Sequence, residues 1–252
     1  MKKLLGKKRK RLNEKRVLIT GTTQGIGHAI IQLLKEQYYV IGINRRSDEH
    51  VDENIICDLS NIEEVQKVVE KIKEKKIEIL INNAGGSVPC KFLKLSMNSI
   101  IYDINLNFVT PMLLMQAVIP NMICNGYGKI VNISSISAKA PTPYLHTYSA
   151  AKRALDSLTI SCAKEYGDKN ITINSICPGA VETIMSVEGR KKISYYKDME
   201  QSDYQEGMIK GTGLGRMVNA KEVAMLVEFL ISDKAEAISG QTINICGTLE
   251  TN

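Results

Sequence analysis

The sequence predicts one α/β domain in which a doubly wound parallel β-sheet carries helices on both faces. Short runs rich in Val and Ile alternate with longer segments whose apolar residues recur at helical spacing, which is the pattern of a parallel sheet joined by helices. A length of 252 residues suits a single domain with one large core. A glycine-rich turn directly follows the first strand-like run, as in many sheets of this class.

The predicted elements follow one another in regular order. Strands are expected at 17–20, 39–43, 55–57, 79–81, 129–133, 171–177 and 242–245. Helices are expected at 26–37, from residue 61 onward, at 99–123 and at 147–166. Pro111 and Pro120 should bend or interrupt the helix at 99–123, because proline lacks the N–H that an inner helical turn uses.

Two connections are unusual. Only about eleven residues separate the second strand from the third, whereas a crossover between parallel strands takes a dozen or more. We therefore expect an irregular crossover there, with little or no helix. The segment 180–219 reads as irregular, and long loops of this kind serve as lids or binding loops. We place a substrate loop at about 184–212.

The basic charge of the chain is concentrated at its start. The net charge is +6, but residues 1–16 hold nine Lys or Arg and one Glu, so the remainder holds 24 basic and 26 acidic residues. Residues 1–15 are expected to form a flexible basic tail, and residues 16–252 the folded domain. A nearly neutral domain gives no case for nucleic-acid binding. Contact between the tail and an anionic surface remains an alternative.

Cysteine and histidine usage excludes several classes of protein. The six cysteines form no C-x-x-C pair, and several lie in apolar runs, so reduced thiols in a cytoplasmic protein are expected. The three histidines have no metal-ligand spacing, which predicts no metal site. No apolar run is long enough to suggest membrane insertion, and no apolar stretch follows the basic start as in a secretory signal.

The glycine-rich turn indicates a phosphate-binding loop. Gly21 lets the chain turn after the strand, Gly25 lets the backbone approach a pyrophosphate, and Gly27 lets the helix pack on the sheet. The intervening Thr23, Gln24 and Ile26 complete the loop, and the N–H groups that begin the helix face the phosphates. An ordinary glycine-rich turn is the alternative, which the strand–turn–helix context disfavours.

The end of the second strand bears on which dinucleotide fits. An acidic residue there would bind the ribose 2′-hydroxyl of NAD, but the sequence has Asn44 followed by Arg45 and Arg46. Guanidinium groups bind a 2′-phosphate bidentately, so we predict NADP(H), with NAD(H) as the second choice. A solvated pair of loop arginines is the alternative.

Two further segments complete the predicted cofactor site. Asp58 follows the third strand, where its carboxylate can accept the adenine amino group beside Leu59, although a helix-capping role is the alternative. Asn83, Ala84 and Gly85 end the fourth strand, where small residues let the backbone pass close to the adenosine ribose.

The residues that best indicate chemistry are Tyr148 and Lys152, which lie one helical turn apart. An ammonium group beside a phenol should lower its pKa from near 10, so that the phenol exchanges a proton with a carbonyl or alcohol near neutral pH. Ser135 follows the fifth strand and can bind the same substrate oxygen. By position alone, Ser134 competes for that role.

In this order and spacing, these motifs resemble those of the short-chain dehydrogenase/reductase family, whose fold is Rossmann-like. The resemblance covers about residues 16–247. It implies that Ser135 rather than Ser134 is the partner of Tyr148, and that Asn105 is the structural and proton-relay asparagine. It also implies that the nicotinamide is contacted by Pro178, Gly179, Val181 and Thr183. Within the family the chain looks closest to the 3-oxoacyl-carrier-protein reductases.

The resemblance implies an NADPH-dependent reductase of a small or medium carbonyl, with Tyr148 as general acid and Lys152 holding the nicotinamide ribose. Candidate substrates include an acyl or peptidyl carbonyl and a sugar. Homo-oligomers are usual in such a family. The alternatives are an NAD-dependent alcohol dehydrogenase and a non-catalytic nucleotide-binding scaffold. The complete set of reactive residues disfavours the scaffold.

Overall fold

The computed structural model describes residues 15–250 and shows the predicted α/β architecture. The strands are β1 (Arg16–Thr20), β2 (Tyr39–Asn44), β3 (Glu53–Ile56), β4 (Ile79–Asn82), β5 (Gly128–Ile133), β6 (Ile171–Pro178) and β7 (Thr242–Ile245). The helices are α1 (Gly25–Leu34), α2 (Ile62–Lys73), α3 (Met97–Ile104), α4 (Thr110–Asn125), α5 (His146–Tyr166), α6 (Ile184–Tyr196), α7 (Gln201–Lys210) and α8 (Ala220–Ile231). The predicted basic tail lies outside the described residues, except for Lys15.

All seven strands are parallel and pair in the order β3-β2-β1-β4-β5-β6-β7. The order reverses between β1 and β4, which in open α/β sheets is where ligands bind. Helices cover both faces of this sheet. Residues of α1 and α8, such as Ile30 and Val227, form one apolar core, and residues of α2 and α4, such as Val65 and Leu114, form the other. The single Rossmann-like domain predicted from the sequence is thereby confirmed.

The crossover between β2 and β3 contains no helix, as its length predicts. A side-chain network holds it instead. Asp48 is buried and accepts hydrogen bonds from the Thr22 hydroxyl at 2.6 Å and from the His50 backbone N–H at 3.0 Å. The side-chain amide of Asn54 in β3 accepts from the Asp48 backbone N–H and donates to the Asp48 carbonyl, each at 2.9 Å. The crossover is thus fastened to the glycine-rich turn.

The helix predicted over 99–123 is interrupted at a different place from the one expected. A π-helical turn spans Asn105–Val109 between α3 and α4, while Pro111 lies in the first turn of α4 and Pro120 within it. Pro111 has no N–H to give the carbonyl of Asn107, four residues earlier. The backbone of Thr110 donates to the more distant carbonyl of Asn105, which widens the turn.

The segment predicted as irregular, 180–219, contains the helices α6 and α7. A reciprocal capping box starts α6: Ser186 N–H donates to the Thr183 hydroxyl at 3.2 Å, and Thr183 N–H donates to the Ser186 hydroxyl at 3.1 Å. Serine at the third helical position is not the acidic residue or glutamine that usually signals this box. The box was therefore hard to recognise from the sequence, and the segment predicted as a substrate loop is largely helical.

One stretch passes the length and apolarity test for a membrane span. It is Met97–Asn125, contrary to our expectation that no run is long enough. In the fold it comprises α3, the π-helical turn and α4, and 56% of its most apolar window is buried inside the protein. Such a helix fits the core of an α/β domain, and the test is weak evidence for a membrane.

Candidate active site

A cleft of about 630 Å³ opens at the carboxyl edge of the sheet. Residues that follow six of the seven strands line it, because the carboxyl ends of parallel strands meet at one edge. The predicted site residues in its wall are Gly21, Thr23, Gln24, Gly25, Ile26, Asn44, Arg45, Asp58, Leu59, Asn83, Ala84, Gly85, Ser135, Tyr148, Lys152, Pro178, Gly179, Val181 and Thr183. Gly27 and Asn105 are the predicted residues that do not line it.

Backbone geometry explains the glycines of the first turn. Gly21 and Gly25 have φ angles of +71° and +57°, which L side chains rarely adopt. A Cβ on Gly27 would lie 2.0 Å from the carbonyl oxygen of Gly21. Gly27 packs against the backbone of Gly21 beneath the loop and does not line the cleft. The α1 helix begins at Gly25, and Gln24 makes no side-chain cap, so the first N–H groups of α1 are open to the cleft.

Asn83 stabilises this turn from the neighbouring strand. Its amide nitrogen donates to the carbonyls of Thr20 and Gly21, each at 2.8 Å. The Thr20 hydroxyl in turn accepts from the backbone N–H of Asn83 and of Ala84 at 2.9 and 2.8 Å. The side chain of Asn83 is therefore used to hold the phosphate-binding turn in place.

The end of the cleft next to β2 carries positive charge. Asn44 is buried, and its amide oxygen accepts from the Thr22 backbone N–H at 2.7 Å, so its side chain points into the protein. Arg45 and Arg46 are exposed and line the cleft. The pKa of the Asp58 carboxyl is lowered, mainly by a hydrogen bond from the Ser60 backbone N–H and to a smaller extent by the positive charge of Arg45. Asn61, not Asp58, caps α2.

The structure brings Ser135, Tyr148 and Lys152 together at the other end of the cleft. Ser135 and Tyr148 both line this end of the cleft, and the Ser135 hydroxyl acts to lower the pKa of the Tyr148 phenol. Lys152 is buried, and its ammonium donates to the Ile133 carbonyl at 2.7 Å and lies 5.8 Å from the Tyr148 ring centre. Ser134 is buried and its hydroxyl points to the Lys152 carbonyl at 3.4 Å. Ser135, rather than Ser134, therefore faces the phenol.

Burial is the largest influence on the pKa values of Tyr148 and Lys152. It lowers the pKa of Lys152 to about 8, although the Asp156 carboxylate opposes the shift. It raises the pKa of Tyr148 above its usual value, and the hydrogen bond from Ser135 offsets only part of that rise. Our expectation that the pKa of Tyr148 lies below its usual value is therefore wrong, because desolvation of the phenolate is the larger effect. The phenol stays protonated at neutral pH, as a proton donor requires.

The structure does not place Asn105 beside Lys152. Its amide donates to the Ser60 carbonyl at 3.1 Å, and its backbone carbonyl accepts from Thr110. Asn107 is fully buried instead, and its amide nitrogen donates to the carbonyls of Gly86 and Asp103, each at 2.8 Å.

Gly85 lies between Asn107 and the lysine. A Cβ on Gly85 would be 3.1 Å from the Asn107 amide oxygen and 3.3 Å from the Lys152 ammonium. The geometry thus favours Asn107 over Asn105 as the asparagine of the catalytic centre. The resemblance had implied Asn105, but the two asparagines flank one leucine and the π-helical turn sets which of them points inward.

The remaining wall is formed by the segment after β6. Gly179 packs directly on the last strand: a Cβ there would lie 2.8 Å from the Cα of Cys246, and its N–H donates to the Ile245 carbonyl at 3.0 Å. Arg190 of α6 is buried and forms two hydrogen bonds of 2.9 and 2.8 Å with the Glu182 carboxylate. This pair holds α6 against the segment that contains Thr183.

Aromatic residues join the turn before α5 to neighbouring segments. Tyr144 and Tyr196 stack with ring centres 5.3 Å apart, and Phe92 meets His146 edge-on at 5.3 Å. The Tyr144 hydroxyl donates to the Tyr196 carbonyl at 3.4 Å, which joins the turn before α5 to the end of α6.

Comparison with known proteins agrees with this geometry. Residues 15–194 match the model of the short chain dehydrogenase family. The 3-oxoacyl-[acyl-carrier-protein] reductase of Rickettsia felis is 32% identical over 94% of this chain and 97% of its own, and that of Thermotoga maritima is 29% identical over 95% and 99%.

Solved structures give the same result. An actinorhodin polyketide ketoreductase determined with NADPH superimposes with a TM-score of 0.85 at 28% identity, covering 94% of this chain and 97% of its own. A 4-hydroxyisoleucine dehydrogenase complexed with NADH gives 0.83 at 29% identity, covering 94% and 98%. With this fold, this cleft and these relatives, the chain belongs to the short-chain dehydrogenase family of nicotinamide-dependent oxidoreductases.

Proposed function

We propose that the protein is an NADPH-dependent reductase that converts a ketone, such as the 3-oxo group of an acyl thioester, to an alcohol. The observation that carries the proposal is the placement of Ser135, Tyr148 and Lys152 at one end of a cleft whose other end presents Arg45. Relatives named as 3-oxoacyl reductases and ketoreductases support the reductive direction. Cytoplasmic location and homo-oligomeric assembly are further expectations from the family.

The cleft fits a dinucleotide. Its volume lies within the range of roughly 300–1,000 Å³ typical of ligand sites. The open N–H groups at the start of α1 suit a pyrophosphate, and the tight approach of Gly27 to Gly21 keeps that turn free of side chains. Arg45 and Arg46 would hold a 2′-phosphate, and Pro178, Gly179, Val181 and Thr183 would border the nicotinamide. When bound, the reduced cofactor supplies the hydride.

The protein residues supply the proton and the orientation. Ser135 and Tyr148 donate hydrogen bonds to the carbonyl oxygen, which positions it and stabilises its developing negative charge. Tyr148 then transfers its proton to that oxygen. Lys152 holds the ribose hydroxyls and, as an ammonium, stabilises the phenolate that remains. The buried position of Lys152 leaves its charge poorly screened, which strengthens this stabilisation.

Reprotonation of Tyr148 would pass through Lys152 to water near Asn107. Pro111 removes the usual helical donor for the Asn107 carbonyl, so that carbonyl is suited to accept from another group. The Asn107 side chain meanwhile holds the loop at Gly86. We therefore assign the relay to Asn107, two residues after the asparagine predicted from the sequence.

Paired substitutions test this assignment. We expect Asn107→Ala to lower kcat at least about tenfold, because a misplaced proton relay costs part of the 10²–10⁴-fold that acid–base catalysis contributes. We expect Asn105→Ala to leave kcat within about twofold, because its side chain reaches only Ser60. Melting temperatures of both variants separate a catalytic loss from unfolding. An equal or larger loss in Asn105→Ala would contradict the assignment.

The function itself is tested by following NADPH oxidation with a panel of ketones, which includes 3-oxoacyl thioesters, cyclic ketones and keto sugars. We expect NADPH-dependent reduction of at least one acyl ketone, with deuterium from labelled NADPH appearing on the carbinol carbon. A preference for NADH with alcohol oxidation would favour the dehydrogenase alternative. Tight cofactor binding without turnover of any carbonyl or alcohol would favour the scaffold.

A further inference from the structure

A buried carboxylate lies next to the catalytic centre without being part of the mechanism above. Asp103, in the last turn of α3, is 1% exposed. Its carboxylate accepts a short hydrogen bond from the hydroxyl of Thr147, the residue before Tyr148. Among residues 15–250, no Lys, Arg or His forms a salt bridge with it.

Stability alone does not account for this carboxylate. Burying a charge without a paired cation is costly, and apolar residues of similar size often replace buried charges at no loss of stability. Burial does raise the pKa of Asp103, while the hydrogen bond from Thr147 opposes that rise. The other carboxylate oxygen is buried and has no hydrogen-bond partner among the described residues. The N-terminal turn of α5, where Thr147 lies, also favours a negative charge.

The contacts of Asp103 join three parts of the site. Its side chain binds Thr147 in the first turn of α5. Through Asn107, it also connects to the substrate-side loop, which we define as residues 86–90. Its backbone carbonyl accepts from the Asn107 amide at 2.8 Å. The same amide donates to Gly86, so the loop, the relay asparagine and the helix of Tyr148 meet at this residue.

We propose that Asp103 is a positioning residue of the catalytic centre, which connects the substrate-side loop to the first turn of α5 and holds a buried negative charge against Thr147, the neighbour of Tyr148 in the chain. A negative charge disfavours the phenolate, so it keeps the proton on Tyr148 to higher pH. This inference rests on the proposed role of Tyr148 as general acid and adds what sets its acidity.

Few other charges face Tyr148. Lys152 lies on the same helix and favours the phenolate. Cys177 of β6 is buried, which raises the pKa of its thiol to about 12, so it is neutral at physiological pH. The turn after β5 contributes the Ser135 hydroxyl, and residues 105–125, which form the π-helical turn and α4, contain no Asp, Glu, Lys, Arg or His.

Two variants separate the charge of Asp103 from its hydrogen bond. Asp103→Asn removes the charge and keeps the shape, and Thr147→Val removes the hydroxyl and keeps the charge. Asp103→Leu serves as a second neutral variant should the asparagine variant fold poorly. The pKa of Tyr148 is read from tyrosinate absorbance with oxidised cofactor bound, as the difference between each variant and the same variant carrying Tyr148→Phe.

We expect both neutral variants to lower the titration midpoint of Tyr148 by on the order of one pH unit, as loss of a nearby like charge requires. The pH at which NADPH-dependent reduction declines on the alkaline side should fall by a similar amount. We expect Thr147→Val to reduce kcat without moving the midpoint. An unchanged midpoint in the neutral variants would overturn the proposal and leave Asp103 a structural residue. Because the absorbance titration needs no turnover, it tests Asp103 even if the carbonyl substrate is wrongly assigned.

Discussion

Replacement of Tyr148 by phenylalanine is expected to reduce kcat for carbonyl reduction by about 10³-fold, within the 10²–10⁴-fold that a positioned acid contributes. Ser135 keeps its hydroxyl in this variant and still binds the substrate oxygen, but no proton donor remains within reach. Since the ring and its packing are preserved, the protein should fold normally and bind NADPH with unchanged affinity. Stopped-flow absorbance for turnover and cofactor fluorescence for binding measure the two quantities separately.

A matched control for this substitution lies on the same helix. Tyr166 ends α5, remote from Ser135 and Lys152, and Tyr166→Phe removes the same hydroxyl from the same element. We expect Tyr166→Phe to retain turnover within about twofold. Turnover by Tyr148→Phe at more than a tenth of the rate of the unmodified protein would contradict the assigned acid and direct attention to Ser135 or a water molecule.

The sequence predicted where the site would form because its motifs lie at the carboxyl ends of strands. Parallel pairing alone brings such ends to one edge, so Gly21, Asn83, Ser135 and Gly179 share a cleft without further information. The strands were recognisable since buried parallel strands are nearly continuous apolar runs. The strands could therefore be located from the local pattern of apolar residues, which a single sequence is enough to show.

The failures have a common physical origin in interactions between distant segments. A π-helical turn decides whether Asn105 or Asn107 points toward the catalytic centre. Pro111, which lies outside the asparagine motif, favours that turn. The acidity of Tyr148 depends on burial by neighbouring elements, whereas the sequence displayed only its nearby lysine. The helix α6 is held by an ion pair between the buried Arg190 and the exposed Glu182, eight residues apart, within a stretch of weak helical pattern.

Arg45 is expected to determine which nicotinamide nucleotide the protein prefers. It is exposed at the end of β2, lines the cleft and has no acidic neighbour at position 44 that would repel a phosphate. A hydrogen-bonded ion pair with the 2′-phosphate contributes about 1.5–3 kcal/mol. We therefore expect Arg45→Ala to raise KM for NADPH by about 10- to 150-fold while KM for NADH changes little. Steady-state kinetics with each cofactor at saturating ketone measure the effect.

A charge reversal extends the test of Arg45. Arg45→Asp places a carboxylate where it can accept the 2′-hydroxyl of NADH and repels the 2′-phosphate of NADPH, so the preference should reverse. Arg153 is exposed on α5 and absent from the cleft wall, which makes Arg153→Asp a control for the change in net charge. Equal use of both cofactors by the unmodified protein, or an equal response to both substitutions, would show that the β2 end does not recognise the phosphate. Raised salt should weaken NADPH binding more than NADH binding only while Arg45 is present, because an exposed ion pair is screened by salt.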